Sequence, residues 1–193
     1  QRHLILSNEM KFSYNTIQEY FKEKLPEPKK LAEILTMHSF EVESVEKIND
    51  DYILNIDILP NRMSDAGGHI AVAKEIFVVL RYQKLLGKTA LKITNSKLQI
   101  LKSKFKKDKN WEIKIKNKGL CLRYIGVIME GVEVKESPQW LKTRLKNLGI
   151  NSINNLVDAA NYVMLETNQP LHIFDFDKLD GKSIIARNAK YGE

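Results

Sequence analysis

A chain of 193 residues with 43% hydrophobic and 28% charged positions has the composition of an ordinary globular protein, with room for one good core or two small ones. No apolar run approaches the roughly 20 residues that a membrane-crossing helix needs, and Gln1 to Glu9 lacks the long apolar stretch and small-residue cleavage site of a secretory signal, so a cytoplasmic location with no membrane partner is expected. The single cysteine, Cys121, excludes an internal disulfide and a thiolate-rich zinc site, and the net charge of +7 favours encounter with polyanions without requiring one.

Residues 1–9 carry no periodic pattern and are read as an extension, with Met10-Lys-Phe-Ser-Tyr-Asn as the beginning of the fold. Ile17, Tyr20 and Phe21 at helical spacing predict a helix over Tyr14 to Lys24. A second helix is expected from Pro28, where proline suits a first turn, with Leu31, Ile34, Leu35 and His38 forming its apolar stripe. Phe40 to Ile48 alternates as a strand does, and the stronger strand from Tyr52 stops at Pro60, which cannot donate to a ladder. Asn49-Asp50-Asp51 between them reads as a hairpin turn. Ile70, Ala73, Phe77 and Leu80 then mark a helix ending near Gly87. Residues 10–87 are thus expected to form a small α+β domain, a helix pair with antiparallel strands.

Residues 88–118 read as a basic linker with edge strands, crowded with lysines from Lys102 to Lys118. Trp111-Glu-Ile-Lys-Ile-Lys alternates as a solvated edge strand would, where lysine also discourages unwanted pairing. With Phe105 and Trp111 the same segment could bind RNA by charge and stacking. Residues 119–193 read as the beginning of a second α+β domain. Tyr124 to Val132 is expected to be a largely buried strand, followed by Ser137 as N-cap and Pro138 as first residue of a helix running to Gly149. A further helix is expected over Ile153 to Leu165, then the turn Asp180-Gly181 and a strand from Ser183 to Arg187.

No phosphate loop, HExxH helix, GxSxG elbow or cysteine with a catalytic partner occurs. Gly67-Gly68 at a helix start could seat an anion on free N–H groups or simply make a tight turn. Asp65, Asp158, Asp175 and Asp177 match no metal-ligand loop and are expected to be solvated or to cap turns; on a strand, Asp175 and Asp177 would share a face. His3 lies in the extension, and structural roles suit His38 and His69. His172 follows Gln169-Pro170 in a loop, where a polar side chain can face a pocket, which leaves a functional and a structural role both open.

Val157-Asp-Ala-Ala-Asn-Tyr-Val-Met-Leu-Glu-Thr-Asn-Gln-Pro-Leu-His-Ile-Phe-Asp-Phe176 closely resembles the B3/B4 editing module of bacterial-type phenylalanyl-tRNA synthetase β subunits. Cys121-Leu-Arg-Tyr, Ser137-Pro-Gln-Trp-Leu and Gly149-Ile-Asn-Ser-Ile-Asn-Asn support the match upstream. Met10-Lys-Phe-Ser-Tyr-Asn, Leu35-Thr-Met-His-Ser-Phe-Glu-Val-Glu, Leu59-Pro-Asn-Arg and Ile70-Ala-Val-Ala-Lys-Glu-Ile resemble the family's B1 domain. The resemblance implies an (αβ)₂ enzyme that charges tRNA(Phe), in which the α subunit holds ATP, Mg²⁺ and phenylalanine. The β subunit would bind tRNA and hydrolyse tyrosine wrongly attached to it. No cofactor is expected on this chain, and the aminoacylation site lies elsewhere.

By the same resemblance, the family's editing histidine falls on His172, and its pocket positions fall on Ala160 and Asn161. Threonine is usual where Ala160 stands, an OB-fold insertion common in bacterial relatives is absent, and the editing module is expected to continue past Glu193. The expected function is therefore that of an N-terminal β-subunit piece, a scaffold and partial editing domain with little activity of its own. The alternatives are a non-catalytic RNA-binding or subunit-docking module and a free-standing trans-editing hydrolase.

Overall fold

The structure is a computed structural model that describes residues 9–87, 91–92 and 111–193. The chain is α+β and divides into two compact units, one from Gln1–Thr94 with Val134–His172, the other from Asn95–Glu133 with Ile173–Glu193. Most of the basic segment, with Lys102 and Phe105, lies outside the described residues, as do residues 1–8.

The first unit is built on a three-stranded antiparallel sheet in the order β1-β3-β2, with β1 at Glu9–Ser13, β2 at Val42–Ile48 and β3 at Asp51–Asp57. The central strand β3 is buried on both faces, and its Ile53, Leu54 and Ile56 are fully buried. Asn49 makes the expected hairpin turn by adopting a left-handed φ of 55°, a conformation asparagine tolerates. Around the sheet lie α1 (Tyr14–Glu19), α2 (Pro28–His38), the short α3 (Met63–Ala66) and α4 (His69–Tyr82). Their apolar stripes, among them Ile17, Leu31, Leu35, Val72, Ile76 and Leu80, close one core with Phe12 and β3. Each such side chain contributes roughly 1.5–3 kcal/mol by leaving water.

Several expectations are corrected. The first helix stops at Glu19 rather than Lys24, because the Gln18 side chain accepts from Leu25 N–H (2.8 Å) and donates to the Glu23 carbonyl (2.9 Å), offering the backbone another arrangement. Phe21 is thereby buried outside the helix, bridged to Leu91. His38 is exposed beside Gln83 and does not complete the α2 stripe. Met10 to Ser13, which shows no strand pattern of its own, becomes β1 by pairing with β3.

The same unit contains α5 (Gln139–Asn147) and α6 (Asn155–Thr167). The N-cap position of α5 is Pro138, one residue after the expected Ser137, and no side chain caps it; the Ser137 hydroxyl donates to Asp158 instead. Gly149, at φ 82°, lets Ile150 N–H return to the Leu145 carbonyl at 2.9 Å, a left-handed helix stop. α6 starts on the Asn154 side chain, which accepts from Leu156 and Val157 N–H, and ends on left-handed Asn168.

The C-terminal end of α6 lies against the turn that joins α3 to α4. A Cβ at Gly68 would stand 2.7 Å from the Glu166 carbonyl oxygen and 2.9 Å from Asn168 N, and one at Gly67 would stand 2.4 Å from Asn168 Nδ2. The space an anion would need at Gly67-Gly68 is therefore filled by backbone of α6. The glycines serve close approach.

In the second unit β4 (Glu112–Ile115) pairs with β5 (Ser183–Ala186), and the pairing is parallel. Trp111 stacks on Phe176 with ring centroids 5.3 Å apart. The expected strand over Tyr124 to Val132 does not form. These residues are irregular, and Ile125, Val127 and Met129 are exposed. A strand needs a neighbour to take up its N–H and C=O groups, and among the described residues none pairs with this segment. Asp175 and Asp177 do not share a strand face either. They lie at the 3-10 turn Phe176–Lys178, where Asp175 accepts from Asp177 N–H.

Gly68→Ala should destabilise this chain by about 1–3 kcal/mol, because the obstruction is backbone that cannot rotate away. Exposed Gly119→Ala should stay within about 0.5 kcal/mol. Urea unfolding of the two variants checks the difference.

Candidate functional site

α6 carries two of the three candidate residues. Ala160 and Asn161 are adjacent in its middle and half-buried, and the Asn161 amide makes no hydrogen bond with the described residues. His172 is exposed in the irregular stretch after the helix. A small, partly open cavity of about 10 Å³, room for one water, lies against α6 but is lined by Thr16, His69, Arg144, Leu148, Tyr162, Leu165 and Glu166. None of the three candidates lines it.

The polar groups around that cavity hold the helix. Glu166 Oε1 accepts from Tyr20 Oη at 2.6 Å and Tyr162 Oη at 2.9 Å. Arg144 Nη1 donates to Tyr162 Oη at 3.0 Å, and its other nitrogen pairs with Glu19. Burial and the neighbouring Glu166 carboxylate push the Tyr162 phenol up to about 12, and burial with the Glu166 hydrogen bond pushes Tyr20 up as well. Both therefore stay protonated as donors. The sequence marks this network only by Tyr162 and Glu166, one helical turn apart.

His69 joins three elements. Its ring is 1% exposed at the start of α4, its Nε2 accepts from Ser13 N–H of β1 at 2.9 Å, and its Nδ1 lies 2.9 Å from the Leu165 carbonyl of α6. A carbonyl can only accept, so Nδ1 carries the proton and the ring is neutral. Burial lowers its pKa from the usual value.

Asp158, expected to be solvated or to cap a turn, is 0% exposed. Its carboxylate accepts from Ser137 Oγ and Ser152 Oγ, both at 2.5 Å, and from Ile153 N–H at 2.9 Å. Burial alone would raise the carboxyl, but these three donors hold it below the usual carboxylate range. It ties the start of α6 to the segments before both helices, a structural task. Asp65 pairs with Arg62. Among the described residues no group of three His, Cys, Asp or Glu side chains could hold a metal ion, and no helix is long and apolar enough to cross a membrane.

Residues 120–193 match the family model described as the B3/4 domain. The phenylalanine–tRNA ligase beta subunit of Carboxydothermus hydrogenoformans is 40% identical over 153 residues, 78% of this chain and 18% of that protein. The beta subunits of Fusobacterium nucleatum and Dehalococcoides mccartyi are 40% and 41% identical over 75% and 74% of this chain, and 17% and 16% of their own lengths. The chain belongs to the phenylalanine–tRNA ligase beta-subunit family. Its matched stretch spans less than a fifth of these relatives, so within the beta subunit it represents one part, and Ala160, Asn161 and His172 all fall inside the B3/4 match.

Because His69 titrates lower in the folded chain than in the unfolded one, its contribution is present above about pH 6.5 and is lost as pH falls from there towards its folded value. Stability should drop by up to about 1.4 kcal/mol per pH unit in that window. His69→Gln should flatten this part of the profile in urea unfolding at pH 7.5 and 5.5. Asp158→Asn should cost about 2–3 kcal/mol at pH 7 by the same assay, because an amide cannot serve three donors as a carboxylate does.

Proposed function

We propose that this stretch serves a phenylalanine–tRNA ligase beta subunit both as scaffold and as the first part of its hydrolytic editing site. Residues 10–87 act as the B1-like scaffold, 88–118 as a basic linker, and 119–193 as the opening of the editing module. In the whole enzyme, an (αβ)₂ assembly in the cytoplasm, the α subunit supplies the aminoacylation site with ATP and Mg²⁺. This chain's site acts on tyrosine misattached to tRNA(Phe). The observation that carries the reading is that the B3/4 match at 120–193 contains the segment bearing Ala160, Asn161 and His172.

The chemistry fits these side chains. Hydrolysis of an aminoacyl ester needs an ordered water and donors for the developing oxyanion, not a strong nucleophile. The Asn161 amide, which makes no hydrogen bond with the described residues, is available to a tyrosyl hydroxyl or to the ester. A site that hydrogen-bonds a phenol can discriminate strongly against phenylalanine. Ala160 presents a methyl group where the resemblance implies a hydroxyl, which leaves the polar recognition to Asn161. His172, exposed and close in sequence to the helix end, orients water or the tRNA 3′ end.

A second reading, a non-catalytic RNA-binding or subunit-docking module, draws on the exposed lysines Lys114, Lys116 and Lys118 and the net charge of +7. Salt-sensitive tRNA binding by this chain without turnover would favour it.

In a beta subunit assembled with its α partner, His172→Ala should slow deacylation of Tyr-tRNA(Phe) about 10-fold or more. Charging of tRNA(Phe) with phenylalanine should stay within about twofold. Unchanged deacylation would overturn the editing assignment.

A further inference from the structure

The chain leaves α6 in a direction set by one residue. Asn168 is left-handed, φ 57° and ψ 25°, and its backbone N–H closes the helix on the Met164 carbonyl at 2.7 Å. Had it stayed right-handed, α6 would continue, and His172, four residues on, would lie about 6 Å further along the axis. Asparagine adopts this conformation at some cost. Its side chain provides the reason to do so: Nδ2 donates to the Met63 carbonyl at 2.7 Å. That carbonyl also accepts from Gly67 N–H at 3.1 Å, so one oxygen ends α3 and holds α6. Gly67 leaves just enough room for the amide.

Local constraints continue from this anchor towards His172. Gln169 N–H donates to Thr167 Oγ1 at 3.3 Å, while the Thr167 hydroxyl donates back to the Val163 carbonyl at 2.7 Å. Pro170 fixes its own φ. On the other side, Asn161 lies seven residues before Asn168, two turns along a regular helix. The anchor thus stands between the two candidate residues in sequence and sets the direction of the chain as it leaves the helix towards His172.

We infer that Asn168 is a positioning residue for the hydrolysis, acting through the α3–α4 turn to keep His172 and Asn161 at one spacing. The inference rests on the editing reading of those two residues. Asn168→Gly removes the amide while keeping easy access to positive φ, and Gly67→Ala crowds both that amide and its acceptor, the Met63 carbonyl.

In the assembled α–β enzyme, each substitution should lower kcat for Tyr-tRNA(Phe) deacylation about 10-fold. KM for that substrate and the rate of phenylalanine charging should stay within about twofold. Because both changes break one bond, the double variant should be no slower than the slower single variant. Unchanged kcat in Asn168→Gly, charging that falls in step with deacylation, or losses that multiply in the double variant would each overturn the inference. If Gly67→Ala does not assemble, Asn168→Gly, which adds no atoms, decides alone. His172→Ala run in parallel separates the two levels. Full deacylation there removes the editing reading, whereas its loss there beside normal turnover in Asn168→Gly removes only the positioning role.

Discussion

The close approach of α6 to the Gly67-Gly68 turn is the constraint on which the larger unit depends. Helix backbone can come this near to another backbone only where side chains are absent, and here a Cβ at Gly68 would stand within 3.0 Å of three backbone atoms. The approach brings the Leu165 carbonyl to His69, Glu166 to Tyr20, and Asn168 to the Met63 carbonyl. Each of these groups would otherwise be a buried or half-buried polar atom in need of a partner. Close packing and polar satisfaction are therefore a single condition, met only when the sheet layer and the later helices come together.

Both ends of α6 are fixed by polar side chains rather than by a wide apolar face. Asp158 gathers Ser137, Ser152 and Ile153 at the start, and Glu166 and Asn168 hold the end. The burial of a carboxylate at Glu166 is offset by two phenols that stay protonated and by Arg144 one step away, paired in turn with Glu19. Removing one member would leave its neighbour with an unmet polar atom, which is costlier than never having built the network. Such a helix is a stiff base for the side chains between its ends, which suits a site that must order a water rather than supply a potent nucleophile.

The sequence makes the elements with a strong local signal plain. Pro28 and the Leu31–Leu35 spacing locate α2, the apolar run before Pro60 locates β3, and the Ile70-to-Leu80 periodicity locates α4. What depends on partners far along the chain is not visible there. Met10 to Ser13 is a strand only because β3 lies beside it, and Tyr124 to Val132 has strand composition but no neighbour among the described residues. Ser137 has the chemistry of a helix cap, yet Asp158, 21 residues on, takes its hydroxyl. The Gly67-Gly68 pair is legible as a turn, but its use as a landing for α6 requires knowing where residues 166–168 go. As for the candidate site, Ala160 and Asn161 stand out by motif resemblance alone, and His172 also by its place in the loop after Gln169-Pro170. Glu166, Tyr162 and Asn168, which hold their helix, carry no local pattern beyond one helical turn.

The docking of α6 is tested most directly by native-state hydrogen exchange on this chain. If the glycine turn, His69 and Glu166 bind α6 to the sheet layer as one cooperative body, amides in the middle of α6 and in β3 should share the same opening free energy and the same denaturant dependence. Exchange of the α6 amides through a low-energy opening, with β3 still fully protected, would contradict it.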